Sequence, residues 1–415
     1  VTEPRGIARR LPEGARDSLP TEAEELRQIE SALRRELDAY GYREVATPVL
    51  EYADVLEGAI DQGLGDAFRL FDASGRVMVL RPDITVPVSR LVATRLAEHP
   101  GPVRAFYFGR AFRPPPPGAP QAAEVRQAGA ELVGASGPAA DAELIALLHR
   151  SLTGAGIGDL TIAVGDIALT EAVLDGLGVP RETRVLLGRA LAARNLVEWQ
   201  RIAAGLPLPA AAGDLLGRLP ALRGGPEILE RVCAVAPAAE SVCDTTGELL
   251  DLLGRAGIGA DVMLDVGIAR DWPYYSGLVL EAHSPLVGAP LAAGGRYDLL
   301  AERFGAPRPS VGFAIDLDVL HRALALQGGN GAGSAPGVVL VGGLDAHLEL
   351  AGRLRGLGVR VAGVAADHPD PSALARADGW ARVLVVRDDR LIVSDLDGTR
   401  LADCASAEEV VRWLA

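Results

Sequence analysis

A chain of 415 residues, 49% of them hydrophobic, holds enough apolar material for two or three domains, which excludes a disordered protein. Its 41 basic residues are all arginine, set against 55 acids for a formal net charge of −14, and only 4% of residues are aromatic. That balance repels a phosphate backbone and offers few stacking platforms, so it disfavours tight nucleic-acid binding and leaves open only a local basic groove.

No apolar run reaches the roughly 18 residues of a membrane span, and Val1 to Asp17 carry charge where a signal peptide needs an apolar stretch. The sequence therefore predicts a cytoplasmic protein without a membrane anchor. Cys233, Cys243 and Cys404 have neither the number nor the spacing of a zinc site or a disulfide framework, and they read as plain thiols. No metal or cofactor is expected.

In chain order, Thr21-Glu-Ala-Glu24 has the capping-box pattern and is followed by Leu26, Ile29, Leu33 and Leu37 at helical spacing, which predicts a helix from about Thr21 to Gly41. Tyr42 to Leu50 reads as extended and broken at Pro48, and Val77 to Leu80 as a buried strand. Ala105 to Phe108 and Gln127 to Val133 fit strands, and Asp141 to Leu152 fits a packed helix. From about Leu160 to Ile258 short helices alternate with Gly and Pro, among them Glu171 to Leu177 and Glu182 to Arg194, and no polar cluster there has catalytic spacing. Strands resume at Asp261 to Val266 and Leu278 to Ala282. Separated strands around a helical insertion predict an α+β fold with an antiparallel sheet core.

Gly328 to Pro336 is the clearest linker. Beyond it, strands at Val338 to Val341, Val359 to Val364, Val383 to Val386 and Leu391 to Val393, with helices at Asp345 to Leu357 and Glu408 to Leu414, predict a separate small α/β domain.

Five segments carry the functional reading: Leu80-Arg-Pro-Asp-Ile-Thr85, Phe108-Gly-Arg-Ala-Phe-Arg113, Gln127-Ala-Gly-Ala-Glu131, Tyr274-Tyr-Ser-Gly277 and Gly294-Gly-Arg-Tyr-Asp298. Taken singly, Asp83 could cap a turn, Arg113 could lie on the surface, and the tyrosines could be core. Gly294 and Gly295 read best as a tight turn.

Together, in this order and spacing, the segments resemble the histidyl-tRNA synthetase family and its paralogue without ligase activity, the regulatory subunits of ATP phosphoribosyltransferase. The resemblance runs from Leu11-Pro-Glu-Gly-Ala-Arg-Asp17 to about Leu320. Its opening, Asp83 in place of the synthetases' glutamate, and Leu219 to Ile228 are closer to the paralogue. The resemblance implies a class II synthetase-like core over residues 1–327 with the helical insertion at about 160–258. A linker at 328–336 and a C-terminal domain at 337–415, similar to an anticodon-binding domain, would follow.

It also implies a histidine pocket. Asp83, Thr85 and Gln127 match the positions around the α-amino group, Arg113 that near the carboxylate, and Glu131 and Tyr275 those near the imidazole. Tyr274 and Tyr297 match pocket walls, and Arg270 matches the arginine that serves activation in the synthetases. The positions that would hold ATP are altered. Pro115 stands where a glutamate reads adenine, Gln121 and Ala123 where loop arginines are expected, Asp316 where glycine is usual, and Val319 where an arginine meets the terminal phosphate. Pro273 leaves the placement of Arg270 open.

The resemblance thus implies a noncatalytic regulatory subunit that works with a separate catalytic ATP phosphoribosyltransferase chain in the first step of histidine biosynthesis. Histidine would be the inhibitory ligand, and a homodimeric core would sit within a hetero-oligomer. The alternatives are a divergent histidyl-tRNA synthetase or amino-acid-activating ligase, and a stand-alone histidine sensor. From Gly337 to Ala415 nine arginines face twelve acids, a balance that suits a structural domain better than an RNA grip.

Overall fold

The computed structural model describes residues 11–57, 67–114, 122–268, 275–328, 337–343, 346–387 and 390–414. Arg270, Tyr274, Pro115, Gln121, Asp345 and all but Gly328 of the Gly328–Pro336 segment lie outside them.

Helix α1 (Pro20–Ala39) buries Leu26, Ile29, Leu33 and Leu37, as their spacing predicts, and the chain leaves it through Gly41 at a φ of +78°. Its start differs from the expected capping box. Pro20, preset for a first turn, takes the opening position, so Thr21 lies inside the helix and Glu24 pairs with Arg360.

After β1 (Arg43–Glu44), a small antiparallel sheet forms from β2 (Leu50–Tyr52), which leads into α2 (Ala53–Glu57), β3 (Arg69–Phe71) and β4 (Val77–Leu80), in the order β2-β4-β3. Then come α3 (Thr85–Arg95), β5 (Val103–Phe112), β6 (Glu124–Val133), α4 (Pro138–Gly154) and β7 (Thr161–Asp166). The helical insertion contains α5 (Ile167–Gly176), α6 (Arg181–Ala192), α7 (Leu196–Ala204), α8 (Ala210–Arg218), the two-residue β8 (Arg223–Gly224), α9 (Glu227–Val235) and α10 (Glu240–Arg255). It has its own core, in which fully buried Trp199 donates its indole N–H to the Leu216 carbonyl at 2.7 Å. The core resumes with β9 (Val262–Asp265), β10 (Leu278–His283), β11 (Ala292–Arg296), β12 (Ser310–Asp316) and α11 (Leu317–Leu326).

Nine of these strands make one sheet in the order β1-β5-β6-β12-β11-β10-β7-β9-β8. The six central strands, β5 through β7 in that order, pair antiparallel throughout. The α+β class with an antiparallel core is what the separated strands predict. Two local expectations are corrected. Residues 161–166, read as the first part of the helical stretch, are the strand β7, because Ile162, Ala163 and Val164 bury themselves between β10 and β9. Gly294 and Gly295 are not a turn but the middle of β11. Side chains there would overlap the Gly312 and Leu278 carbonyls of the flanking strands.

A second five-stranded sheet collects β13 (Gly337–Gly342), β14 (Arg360–Ala365), β15 (Arg382–Arg387), β16 (Arg390–Ser394) and β17 (Arg400–Cys404) in the order β14-β13-β15-β16-β17. Its helices are α12 (Ala351–Gly356), which continues a π-helical turn at Ala346–Leu350, α13 (Pro371–Ala377) and α14 (Ala407–Leu414). Helix α13, not predicted, starts where the Asp370 carboxylate accepts from Ala373 N at 2.8 Å with proline at the first position. Contacts divide the chain into two compact units, Ile29–Gln327 with the residues before Asp17, and Asp17–Gln28 with Gly328–Ala415. No helix among the described residues is long and apolar enough to cross a membrane.

Candidate functional site

The antiparallel sheet carries a cavity of about 240 Å³ whose walls include Asp83, Thr85, Arg113, Gln127, Tyr275 and Tyr297. Six of the nine residues proposed from sequence therefore line one space. Glu131 lies directly behind it, and Arg270 and Tyr274 fall outside the described residues.

Register explains the opening. Glu131 on β6 pairs with Gly312 on β12, which pairs with Gly295 on β11. One row along, Tyr107 on β5 faces Gly129, Ala314, Ala293 and Glu281 on successive strands. Because alternate residues share a sheet face, glycine and alanine at these positions leave a hollow that larger side chains would fill. A Cβ on Gly312 would overlap Glu131 Oε2, and one on Gly129 would overlap the Tyr107 ring.

One turn and the end of β5 fix the walls. Buried Arg81 donates through Nε to the Arg110 carbonyl at 2.9 Å, and through its Nη1 to the Thr47 carbonyl at 2.9 Å and the Pro48 carbonyl at 3.3 Å. These bonds hold the Arg81-Pro82-Asp83 turn against the ends of neighbouring segments. Asp83 then accepts from Val86 N at 2.8 Å, so it steadies the start of α3 while its carboxylate faces the cavity. The capping role and the cavity role belong to the same side chain. Arg113, at the end of β5, donates Nε to the Pro82 carbonyl at 2.8 Å and is thereby oriented along the rim.

At the inner end the Tyr297 hydroxyl donates to Glu131 Oε2. Burial is the main cause that pushes the Glu131 carboxyl up to about 8, with the Tyr297 hydrogen bond opposing it. Gln127 Oε1 is buried without a hydrogen-bond partner among the described residues, and Glu131 Oε1 and the Tyr107 hydroxyl make no well-formed hydrogen bond there, the Thr85 side chain standing near both. Leaving such atoms unmade costs about 1–3 kcal/mol each, and a bound molecule that supplies donors removes that cost.

The rim has different chemistry. Asp316 ends β12 and caps α11, accepting from the Asp318 and Val319 amides at 3.0 Å each. Burial lifts its carboxyl above the ordinary range, the Val319 amide bond and the Arg113 charge opposing. Val319 lines the same rim. Among the described residues of the cavity three carboxyl groups, counting Glu131 behind the wall, accompany the single cation Arg113, and burial favours the neutral form of Glu131 and of Asp316.

Sequence reading passed over Tyr107 and the small residues Gly129, Ala293 and Ala314. Their signal is period-two alternation along each strand: Gly129 two residues before Glu131, and Gly312, Ala314 and Asp316 in succession. Arg296 also proves structural: it is buried, donates Nε to Asp141 at 3.1 Å and pairs with Asp298 at 3.0 Å, tying β11 to α4.

An antiparallel sheet with this cavity on one face defines a class II synthetase-like protein. The sequence model of the histidyl-tRNA synthetase family matches residues 14–320. The ATP phosphoribosyltransferase regulatory subunit of Moorella thermoacetica is 39% identical over 376 residues, covering 89% of this chain and 96% of that protein. Its counterpart from Symbiobacterium thermophilum is 37% identical over 382 residues, 90% and 96% of the two chains. Among solved structures, an ATP phosphoribosyltransferase regulatory subunit/histidyl-tRNA synthetase from Bacillus halodurans superposes with a TM-score of 0.78 at 29% identity, covering 91% of this chain and 97% of that one. A histidine–tRNA ligase subunit from Alicyclobacillus acidocaldarius gives 0.66 at 31% identity, covering 77% and 98%. The chain belongs to the family of ATP phosphoribosyltransferase regulatory subunits, which is built on the histidyl-tRNA synthetase fold.

Proposed function

We propose that the chain is a regulatory subunit in histidine biosynthesis that holds free histidine in this cavity and acts on a separate catalytic ATP phosphoribosyltransferase chain. The partner performs the condensation of ATP with phosphoribosyl pyrophosphate. The observation that carries the ligand assignment is the pair of buried acceptors at Gln127 Oε1 and Glu131 Oε1 that make no well-formed hydrogen bond among the described residues, with Asp83 and Arg113 in the same walls.

Histidine fits that set atom by atom. Its ammonium supplies donors to Asp83 and Gln127, its imidazole N–H supplies one to Glu131 beside Tyr275, and its carboxylate meets Arg113. An amino acid lacking a ring donor leaves Glu131 unsatisfied, which is the basis for discrimination.

The rim supports a role without adenylation. A carboxylate at Asp316 repels a polyphosphate, and Val319 supplies no cation where a phosphate contact of roughly 1.5–3 kcal/mol is needed. The family membership supports a transferase complex as the setting, and the proposal includes a homodimeric core of this chain inside that hetero-oligomer.

Two measurements test this. Co-purification with the catalytic chain of the same genome, followed by transferase assays, is expected to show activity that requires both chains and falls with added histidine. The isolated chain is expected to show no histidine-dependent exchange of pyrophosphate into ATP. Robust exchange that disappears in Arg113→Ala supports the ligase alternative instead.

A further inference from the structure

Outside the ligand walls, one buried acid on the cavity face is held by the helical insertion. Glu281 on β10 is 5% exposed and pairs in register with Ala293, a cavity-lining residue of β11. Its side chain shares a face with Val279, which packs against Tyr275. The carboxylate accepts from an Arg194 Nη2 at 3.1 Å and lies 3.1 Å from His283 Nε2.

Arg194 occupies the turn between α6 and α7. It is the one described non-glycine residue with positive φ, at +53°. The hydrogen bonds around it, Arg194 N to the Leu191 carbonyl at 2.9 Å and Asn195 N to the Ala190 carbonyl at 2.8 Å, are those of a helix end that ordinarily places glycine at this position. Asn195 then caps α7 by accepting from Glu198 N at 3.0 Å. A side chain is thus kept where local backbone preference calls for none, and the gain that offsets the strain is the guanidinium's reach to Glu281.

We infer that Arg194 is a positioning residue that couples occupancy of the cavity to the α6–α7 hairpin through Glu281. This rests on the reading that histidine is the ligand. Ala293 is wall on one side and register partner of Glu281 on the other. A ligand that settles against β11 shifts the anchor of Arg194 with it, because a packed sheet transmits small displacements to its neighbours. The Arg194 side chain is 69% exposed, so the bond adds little to bulk stability beyond offsetting that strain; its use is to fix where the hairpin lies.

The test compares hydrogen–deuterium exchange of the full chain with and without histidine, alongside calorimetry. Wild-type protein is expected to gain amide protection over residues 181–204 when histidine binds. Arg194→Gly relieves the backbone at φ +53° while it takes the cation from buried Glu281, so the two effects oppose each other and the variant is expected to fold; Glu281→Gln, which leaves no charge to strand, is the control for any loss of stability. Arg194→Gly is expected to bind histidine within about twofold of wild type yet lose that protection, because binding and coupling are separate free energies. Glu281→Gln, which removes the charge and keeps the shape, is expected to do the same. Retained protection in Arg194→Gly overturns the coupling role, and so does histidine binding to wild type with no change over 181–204, which leaves the ligand assignment standing. An absence of binding heat overturns the ligand assignment and the coupling together.

Discussion

The inner end of the cavity and its rim are built from opposite chemistry. The inner end gathers buried hydrogen-bond acceptors, Asp83, Gln127 and Glu131, with Tyr297 holding the last in place. At the rim, Asp316 spends its carboxylate on the amides of α11, and Val319 offers only methyl groups. If the inner end binds histidine as proposed, the contrast teaches that recognition and reaction are separable even where their sites adjoin. Buried polar groups serve the first, while the second needs cations that the described rim residues, Arg113 apart, do not supply.

The sharpest way to break this comparison is Gly312→Ala. Its methyl overlaps Glu131 Oε2, and both Glu131 and Tyr297 are buried, so room for the methyl comes only by displacing the Glu131 carboxyl from its place. We expect a stability loss of about 1–3 kcal/mol and histidine binding too weak for calorimetry; unchanged binding would place the ligand elsewhere.

Asp83→Ala follows in size. An ammonium left without its carboxylate should weaken histidine binding by roughly 2–4 kcal/mol, read by calorimetry, with a smaller fall in Tm as Val86 N loses its acceptor. Unaltered affinity together with unaltered feedback in the reconstituted complex would make the inner end a relic.

Glu131→Gln tests the burial of charge. Because the folded carboxyl sits at about 8, the native chain binds more protons than the unfolded chain between the ordinary carboxyl range and that value. The contribution is therefore complete at low pH and is lost as pH rises through about 8. Urea midpoints from about pH 5 to about pH 9 should fall less steeply in Glu131→Gln than in wild type. Parallel profiles would mean that Glu131 is not the buried acid described.

The smallest expected effect is a null difference. If the C-terminal unit is structural, histidine tRNA binds no better than unrelated tRNA at physiological salt. Anticodon-dependent retention on a filter would point to a working synthetase.

Much of this was legible in the chain. The spacing of Leu26, Ile29, Leu33 and Leu37 gave a helix that buries all four, and Val77–Leu80 forms a strand with the predicted bounds, though only Val79 of the four is buried where a buried strand was expected. Six of nine proposed site residues meet in one cavity, because ordered blocks on neighbouring strands carry side chains to a common face. Short-range signals failed where long-range packing won. Gly294 and Gly295 look like a turn locally, yet they lie in β11 because two carbonyls of flanking strands leave no space for side chains. Thr21 and Glu24 spell a cap, yet the helix begins at Pro20.

By itself, then, the sequence determined the antiparallel α+β class and the chemistry of the proposed recognition set, since residue type and order are local properties. Only the tertiary structure decided which groups are buried without partners and which small residues hollow the sheet. It alone showed that Arg194, 87 positions before Glu281, reaches it from the insertion. Burial and cross-strand register depend on neighbours distant in sequence, and no periodicity within one segment encodes them.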